Sequence, residues 1–427
     1  MRTDTYRDRF ARLSAGFAVA LGAASCGSTD PSTSTVQGVT ESDPTQGQSA
    51  TLLSYWTEPG DVECLQSLIQ VNKERHPKDS IVLDPVPSYD LASEVLPKRI
   101  ASGNTPDLVM VHSENVAAYL QAHGPDSLHS LNDFLALPAQ EDVRPNIYSE
   151  LMADVTHDGN TYAIPVVMSR YNSLYYNKHV FRAHNLQPPT SVAELRTVCQ
   201  SLESADVQCL GYWIPTMPLV AVLAAAMGVD AFASYASGGE TDETALRNAI
   251  DLLEEVVDNY VDPASFQGIS ASELYDKKFV TGEVAMVLDG SWAMGPLQQL
   301  GWTAGIDFGV TVPPGSAGLF VYSQDMFAIP AGAPHLQGAL NLLDSTASVD
   351  GVTATSSFKD SIPTRKDAVL TDANPELLGL IRDMQEAKHR IPAGDYGLMA
   401  VSEAVAAFAN SSPHDTEALL EVLLAGH

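Results

Sequence analysis

The sequence predicts an α/β protein, with a largely parallel sheet flanked by helices. Three observations carry that expectation. Short apolar runs of strand length alternate with longer segments whose apolar residues recur at helical spacing. The first three strand-like runs are separated by helical ones, and a βαβαβ order implies crossovers that leave the strands parallel. Hydrophobic residues make up 45% of the 427, enough for a sizeable core and too many for a disordered acidic chain. Length alone suggests two or three domains.

In chain order, residues 1–25 read as a targeting segment. Arg2, Arg7, Arg9 and Arg12 form a basic start, Leu13 to Leu21 is an apolar run broken only by Ser14 and Gly16, and small residues precede Cys26. This resembles a bacterial lipoprotein signal, with Ala23 where such signals usually carry Leu, and implies a lipidated Cys26. In a plain secretory peptide the cysteine would be incidental, and the apolar run falls short of the roughly 20 residues a membrane span needs. Residues 26–49, rich in Ser, Thr, Gly, Pro, Gln and Asp, read as a flexible tether. Thr51 to Trp56 is a strand, followed by a helix with Val62, Leu65, Leu68 and Ile69 on one face. Ile81 to Val86 is the next strand, Leu91 to Ile100 a helix, and Leu108 to Val111 the third strand. Ser191-Val-Ala-Glu194 is a capping box, and Ser412-Pro413 places proline at a first helical position. Leu246, Ile250, Leu253 and Val257 form one helical stripe, with acids on the solvated face opposite.

Lys plus Arg total 23 against 53 Asp plus Glu, a formal net charge of −30, and removing residues 1–25 takes away four arginines and two aspartates to leave −32. Such a field repels phosphate, so nucleic acid is excluded as a partner. The sequence lacks a phosphate loop, a Gly-x-Ser-x-Gly elbow, a His-Glu-x-x-His and a Cys-x-x-Cys, and its histidines lack the spacing that puts two on one helix face. No metal and no cofactor are expected.

Four segments occur in order: Arg99-Ile-Ala-Ser-Gly-Asn-Thr-Pro-Asp107; His157-Asp-Gly-Asn-Thr-Tyr-Ala-Ile-Pro165 with Leu174-Tyr-Tyr-Asn-Lys178; Thr281-Gly-Glu-Val-Ala-Met286 with Gly290-Ser-Trp292; and Ser361-Ile-Pro-Thr-Arg365. Together they resemble family 1 of the extracellular solute-binding proteins, the receptors of bacterial ABC importers. Trp56-Thr57, Val312 to Phe320 and Ser323-Gln-Asp-Met-Phe327 are most similar to the glucose-binding members. The resemblance implies a two-lobe fold of the type II periplasmic-binding kind, with lobes from discontinuous segments joined by a hinge. Residues 50–164 plus 289–327 would form one lobe and 165–288 plus 328–427 the other, with crossings near Ile164-Pro165, Leu288-Asp289 and Phe327-Ala328. It also implies a carbohydrate ligand, transmembrane permease subunits as partners, a lipid anchor on the outer side of the cell membrane, and a monomer without enzymatic activity.

A sugar offers apolar C–H faces and a ring of hydroxyls, so its site needs flat aromatics and fixed polar groups. Trp56, at a strand end beside Asp61, and Trp292, after Asp289 and Gly290, are candidates for stacking, each otherwise a half-buried core aromatic. Trp213 is a third, and Trp302 reads as structural. Asp61, Asp325 and Lys359 match sugar-contacting groups of the glucose-binding relatives, Asp289 joins them as an acid at the second crossing, and His112 follows the third strand. Each acid could instead be a helix cap or turn residue. Arg170 and Asn172 are candidates for ordering the hinge. Relatives carry His-Arg where this chain has Ser169-Arg170, and His-Gly where it has Tyr396-Gly397, so Tyr396 could change which hydroxyls are read. Cys199 and Cys209 are either bridged or two buried thiols, and Cys64 reads as a buried apolar residue. Two other functions stay open: a tethered glycan-active enzyme, since carboxylate pairs are a matter of three-dimensional spacing, and a receptor of the same fold that signals.

Overall fold

The structure is a computed structural model, and it describes residues 47–57, 59–88, 91–393 and 398–425. The targeting segment, Cys26, most of the expected tether and Tyr396 lie outside the described residues. Two mixed sheets organise the chain. The first contains β1 (Ser49–Ser54), β2 (Ser80–Pro85), β3 (Leu108–His112), β4 (Ala163–Arg170), β9 (Leu319–Ala328) and β10 (His389–Pro392). The second contains β5 (Ser173–Asn177), β6 (Gln208–Gly211), β7 (Val284–Asp289) and β8 (Phe308–Thr311) in the order β8-β5-β7-β6.

The opening βαβαβ is parallel as its pattern predicts, with β1 between β2 and β3. The later strands depart from a largely parallel sheet: β9 runs antiparallel to both β3 and β4, and in the second sheet only β6 and β7 pair in parallel. Helix α1 (Pro59–Arg75) covers the first sheet with Cys64, Leu65 and Leu68 inward. Helices α2 (Val192–Glu203), α3 (Thr216–Met227) and α4 (Glu243–Asn259) build the second core, where Leu246, Ile250, Leu253 and Val257 are buried as the stripe predicts. Ser191 caps α2 by accepting from the Glu194 amide, while the Glu194 carboxylate reaches Thr190. The short α5 (Met294–Gln299) precedes β8. Helices α6 (Leu336–Ala347) and α7 (Val349–Lys359) then pack on α1. The last helix, α8, begins at Thr416 rather than at Pro413, because the Asp415 carboxylate accepts from the Ala418 amide and so fixes the start of the turn.

The passages between sheets differ from the expected ones. The chain leaves the first sheet at Tyr171-Asn172, a few residues past Ile164-Pro165. It returns within residues 312–318, not at Leu288-Asp289, because β8 pairs with β5 and holds residues 308–311 in the second sheet. After β9 it stays with the first sheet, since a Cβ on Gly338 would lie 2.1 Å from the Ser49 carbonyl, so close is α6 to β1. Residues 336–359 therefore pack on α1 and the first sheet, not with the second-sheet residues of the expected 165–288 plus 328–427 lobe. Leu319, Val321 and Ile391 border the second core, and beyond β10 Val401, Val405, Phe408 and Leu420 rejoin it.

The four recognition motifs serve largely as joints. Asp107, 1% exposed, accepts from the Thr51 amide at 2.8 Å and the His335 amide at 2.7 Å, tying β1 to the entrance of α6. Asn177 caps the helix Lys178–Ala183 through the His179 and Val180 amides and donates to the Phe279 carbonyl. Arg365 donates to the Ala347 carbonyl at the end of α6 and pairs with Asp142 and Asp367.

Candidate functional site

Parallel strands aim their C-terminal ends at one edge of a sheet, where ligands of α/β folds sit. At that edge of the first sheet, β1 delivers Tyr55 and Trp56, and β3 delivers His112. Asp325 on β9 stands directly opposite His112 in the pairing register. The Tyr55 hydroxyl donates to Asp325 Oδ1, its ring stacks on His112 with centroids 4.9 Å apart, and His112 Nδ1 lies 3.3 Å from the same carboxylate oxygen. Burial outweighs His112, Tyr55 and Lys359 and pushes the Asp325 carboxyl above its ordinary range.

Asp61, in the first turn of α1, pairs with Lys359 in the last turn of the antiparallel α7. Each thereby sits at the helix end its charge favours. The Lys359 ammonium also lies 4.6 Å from the centre of the Trp56 ring. Trp56 is 5% exposed, so its exposed face is shared with a cation in this structure. Asp61, Lys359, His112 and Asp325 are each 16–25% exposed and surround the two buried aromatics.

A second cluster stands at the matching edge of the second sheet. Asp289, at the end of β7, is 0% exposed rather than open to a ligand. Its carboxylate accepts from Trp213 Nε1 at 2.5 Å, the Gly290 amide at 2.7 Å and the Tyr275 hydroxyl. Burial pushes its carboxyl up to about 7 against those hydrogen bonds. Trp213 and Trp292 are half-buried, whereas Trp302 packs between Phe279 and His179. Helix α5 links the clusters: it starts two residues after Trp292, and Gln299 Nε2 lies 2.8 Å from where a Cβ on Gly60 would stand.

Where the chain first passes between sheets, Arg170 is 1% exposed. It donates to Asn172 Oδ1, Asp383 and the Leu319 carbonyl, and its guanidinium lies 5.0 Å from the Phe320 ring. Burial lowers it to about 10 despite Asp383. Asn172 in turn accepts from the Val321 amide at 2.9 Å. Cys199 and Cys209 are joined as a disulfide with Cα atoms 5.1 Å apart, fastening α2 to β6. Cys64 is a buried thiol, which burial pushes up to about 12.

Tyr55 and Tyr275 escaped the sequence reading. Tyr55 adjoins Trp56 at a strand end, which was signal enough. Tyr275 lies in a wide helical turn, Leu274–Phe279, with no local pattern to mark it.

A family model described as bacterial extracellular solute-binding protein matches residues 72–378. The chain is 27% identical over 380 residues to an uncharacterized ABC transporter extracellular-binding protein of Pyrococcus horikoshii, covering 86% of this chain and 82% of that one. It is 24% identical over 338 residues to a probable sugar-binding periplasmic protein of Mesorhizobium japonicum, covering 75% and 77%. A solved chitin oligosaccharide binding protein superposes with a TM-score of 0.72 at 17% identity, over 88% of this chain and 98% of that one. The fold is the two-lobe type II fold of periplasmic binding proteins.

Proposed function

The chain belongs to the bacterial extracellular solute-binding protein family, and from that premise we propose that it captures a carbohydrate between its two sheets and delivers it to the permease subunits of an ABC importer. The ligand is a glucose-like monosaccharide or a short oligosaccharide. The observation that carries this reading is the composition of the two strand-end clusters: aromatic rings surrounded by partly exposed acids, an ammonium and an imidazole, spaced by α5. The names of the relatives support it.

In this reading the first lobe holds β1–β4, β9, α6, α7 and β10, and the second holds β5–β8 and the C-terminal helices. Tyr171-Asn172 and residues 312–318 are the hinge strands, and Arg170 with Asn172 orders the first of them. A solute closes the lobes only if it binds the closed form more tightly, so its contacts come from both. Lys359, held by Asp61 over Trp56, gives the ligand hydroxyl a donor once it swings from the ring. Lipidation of Cys26 would keep a monomeric receptor on the outer face of the cell membrane beside its permease.

A thermal-shift panel of common mono- and disaccharides at millimolar concentration tests the reading. A ligand at a hundredfold excess over its dissociation constant stabilises the protein by about 2.7 kcal/mol, and Lys359→Met reduces that gain. A panel in which no sugar raises the melting temperature rejects the carbohydrate assignment.

A further inference from the structure

Asp289 is a buried carboxylate met by protein donors from several sides, one of them the Trp213 indole. Trp213 lies two residues past β6 and Asp289 ends β7; these strands pair in parallel with Gly211 opposite Val287, so both side chains leave the sheet at one level. Trp213 Nε1 reaches Asp289 Oδ2 at 2.5 Å, and Trp292 stands three residues on from Asp289. A Cβ on Gly290 would fall 2.3–2.4 Å from three atoms of the Trp292 ring, so this glycine lets the indole lie against the backbone. Tyr171 braces the other side edge-on, with centroids 5.9 Å apart. Trp213 is gripped at its N–H edge and Trp292 is packed between Gly290 and Tyr171, while part of each indole stays exposed.

We propose that Asp289 is a positioning residue: shut away from solvent, it holds the N–H edge of Trp213 so that this indole, beside the Trp292 ring set against Gly290 and Tyr171, presents a fixed face to a pyranose ring. The choice of a sugar as occupant rests on the carbohydrate reading above, whereas the hold on Trp213 does not. Pre-set aromatic faces spare a ligand the cost of ordering them, and the C–H face of a sugar suits an indole better than a buried anion does. Asp289 thus acts through Trp213 and not on hydroxyls. The titratable groups facing it are Tyr275, which donates to it, and Tyr175, which burial pushes well up and keeps protonated. Because burial brings the Asp289 carboxyl up to about 7, its protonation weakens the grip as the solution turns acid.

The test uses near-UV circular dichroism and tryptophan emission of the ligand-free protein across that pH range. A Trp302→Phe background removes the indole that packs on His179. A spectral transition with a midpoint near 7, abolished by Asp289→Asn while far-UV ellipticity is kept, is the expected result. Glucose, galactose and maltose are then titrated into both proteins, and whichever binds is expected to lose about tenfold in affinity in Asp289→Asn, equivalent to about 1.4 kcal/mol. A flat pH profile, or an Asp289→Asn spectrum like the parent's, overturns the proposal. So does a shifted spectrum with unchanged sugar affinity. A spectrum that behaves as expected while none of the three sugars binds either protein overturns the sugar occupant and leaves the indole grip standing. If Asp289→Asn does not fold, the pH profile of the parent decides alone.

Discussion

At the scale of single residues, Arg170 shows how a buried charge can order a passage between sheets. Its guanidinium is enclosed, yet its donors meet Asn172, Asp383 and the Leu319 carbonyl. Replacing one partner of such a network strands the others, at a cost of about 3 kcal/mol or more. Arg170→Met is therefore expected to lower the unfolding free energy obtained from urea denaturation by that amount. A loss below about 1 kcal/mol, the usual value of an exposed ion pair, would mean the network is dispensable. The nearby Ser169, where the glucose-binding relatives carry histidine, lies in β4 opposite Ser323 of β9. The departure noted in sequence thus falls on a sheet pair.

Among elements, the connection from α2 to β6 is the tightest covalent joint. The Cys199–Cys209 bridge closes a sequence separation of 10 residues, and closing so short a loop is worth about 3 kcal/mol through the unfolded state. Cys199→Ser with Cys209→Ser should lose about that much in chemical denaturation, and reducing agent should then have no further effect. Elements were also where the sequence was most legible. β1 to β3, α1 and α4 announce themselves by period, and Asp107, Asn177 and Arg365 mark joints that a local pattern can carry. The passage at 312–318 was not legible, because the pairing of β8 with β5 joins residues more than a hundred positions apart. Trp56 looked like an open stacking surface, since a sequence shows that a strand ends but not that Lys359 arrives over it from α7. Asp289 looked like a ligand acid for the same reason: its donors Trp213 and Tyr275 come from other elements.

Over the whole molecule, charge and burial act together on pH dependence. Asp289 holds its proton more tightly folded than unfolded, so it favours the folded state most below its ordinary 3.8 and loses that contribution as pH rises to about 7. The difference amounts to about 4 kcal/mol, and Asp325 shifts in the same direction. Acidification also relieves the self-repulsion of a chain with a net charge of −30. Asp344 and Asp367, held low by their partners, oppose the trend only once the pH falls into their own range. Melting temperature is therefore expected to be higher at pH 5 than at pH 8, and Asp289→Asn to shrink the difference; equal dependence in both proteins would remove Asp289 as its source. The position of β9 has a further consequence. It lies between β3 and β4, although more than a hundred residues are made after β4 before it appears. Until then β3 and β4 each carry an unpaired edge, and the first sheet cannot be sealed by the growing N-terminal part alone, whereas every strand of the second sheet has already been made. The first sheet therefore stays open until about three-quarters of the chain has been synthesised, and closes only as one late strand inserts.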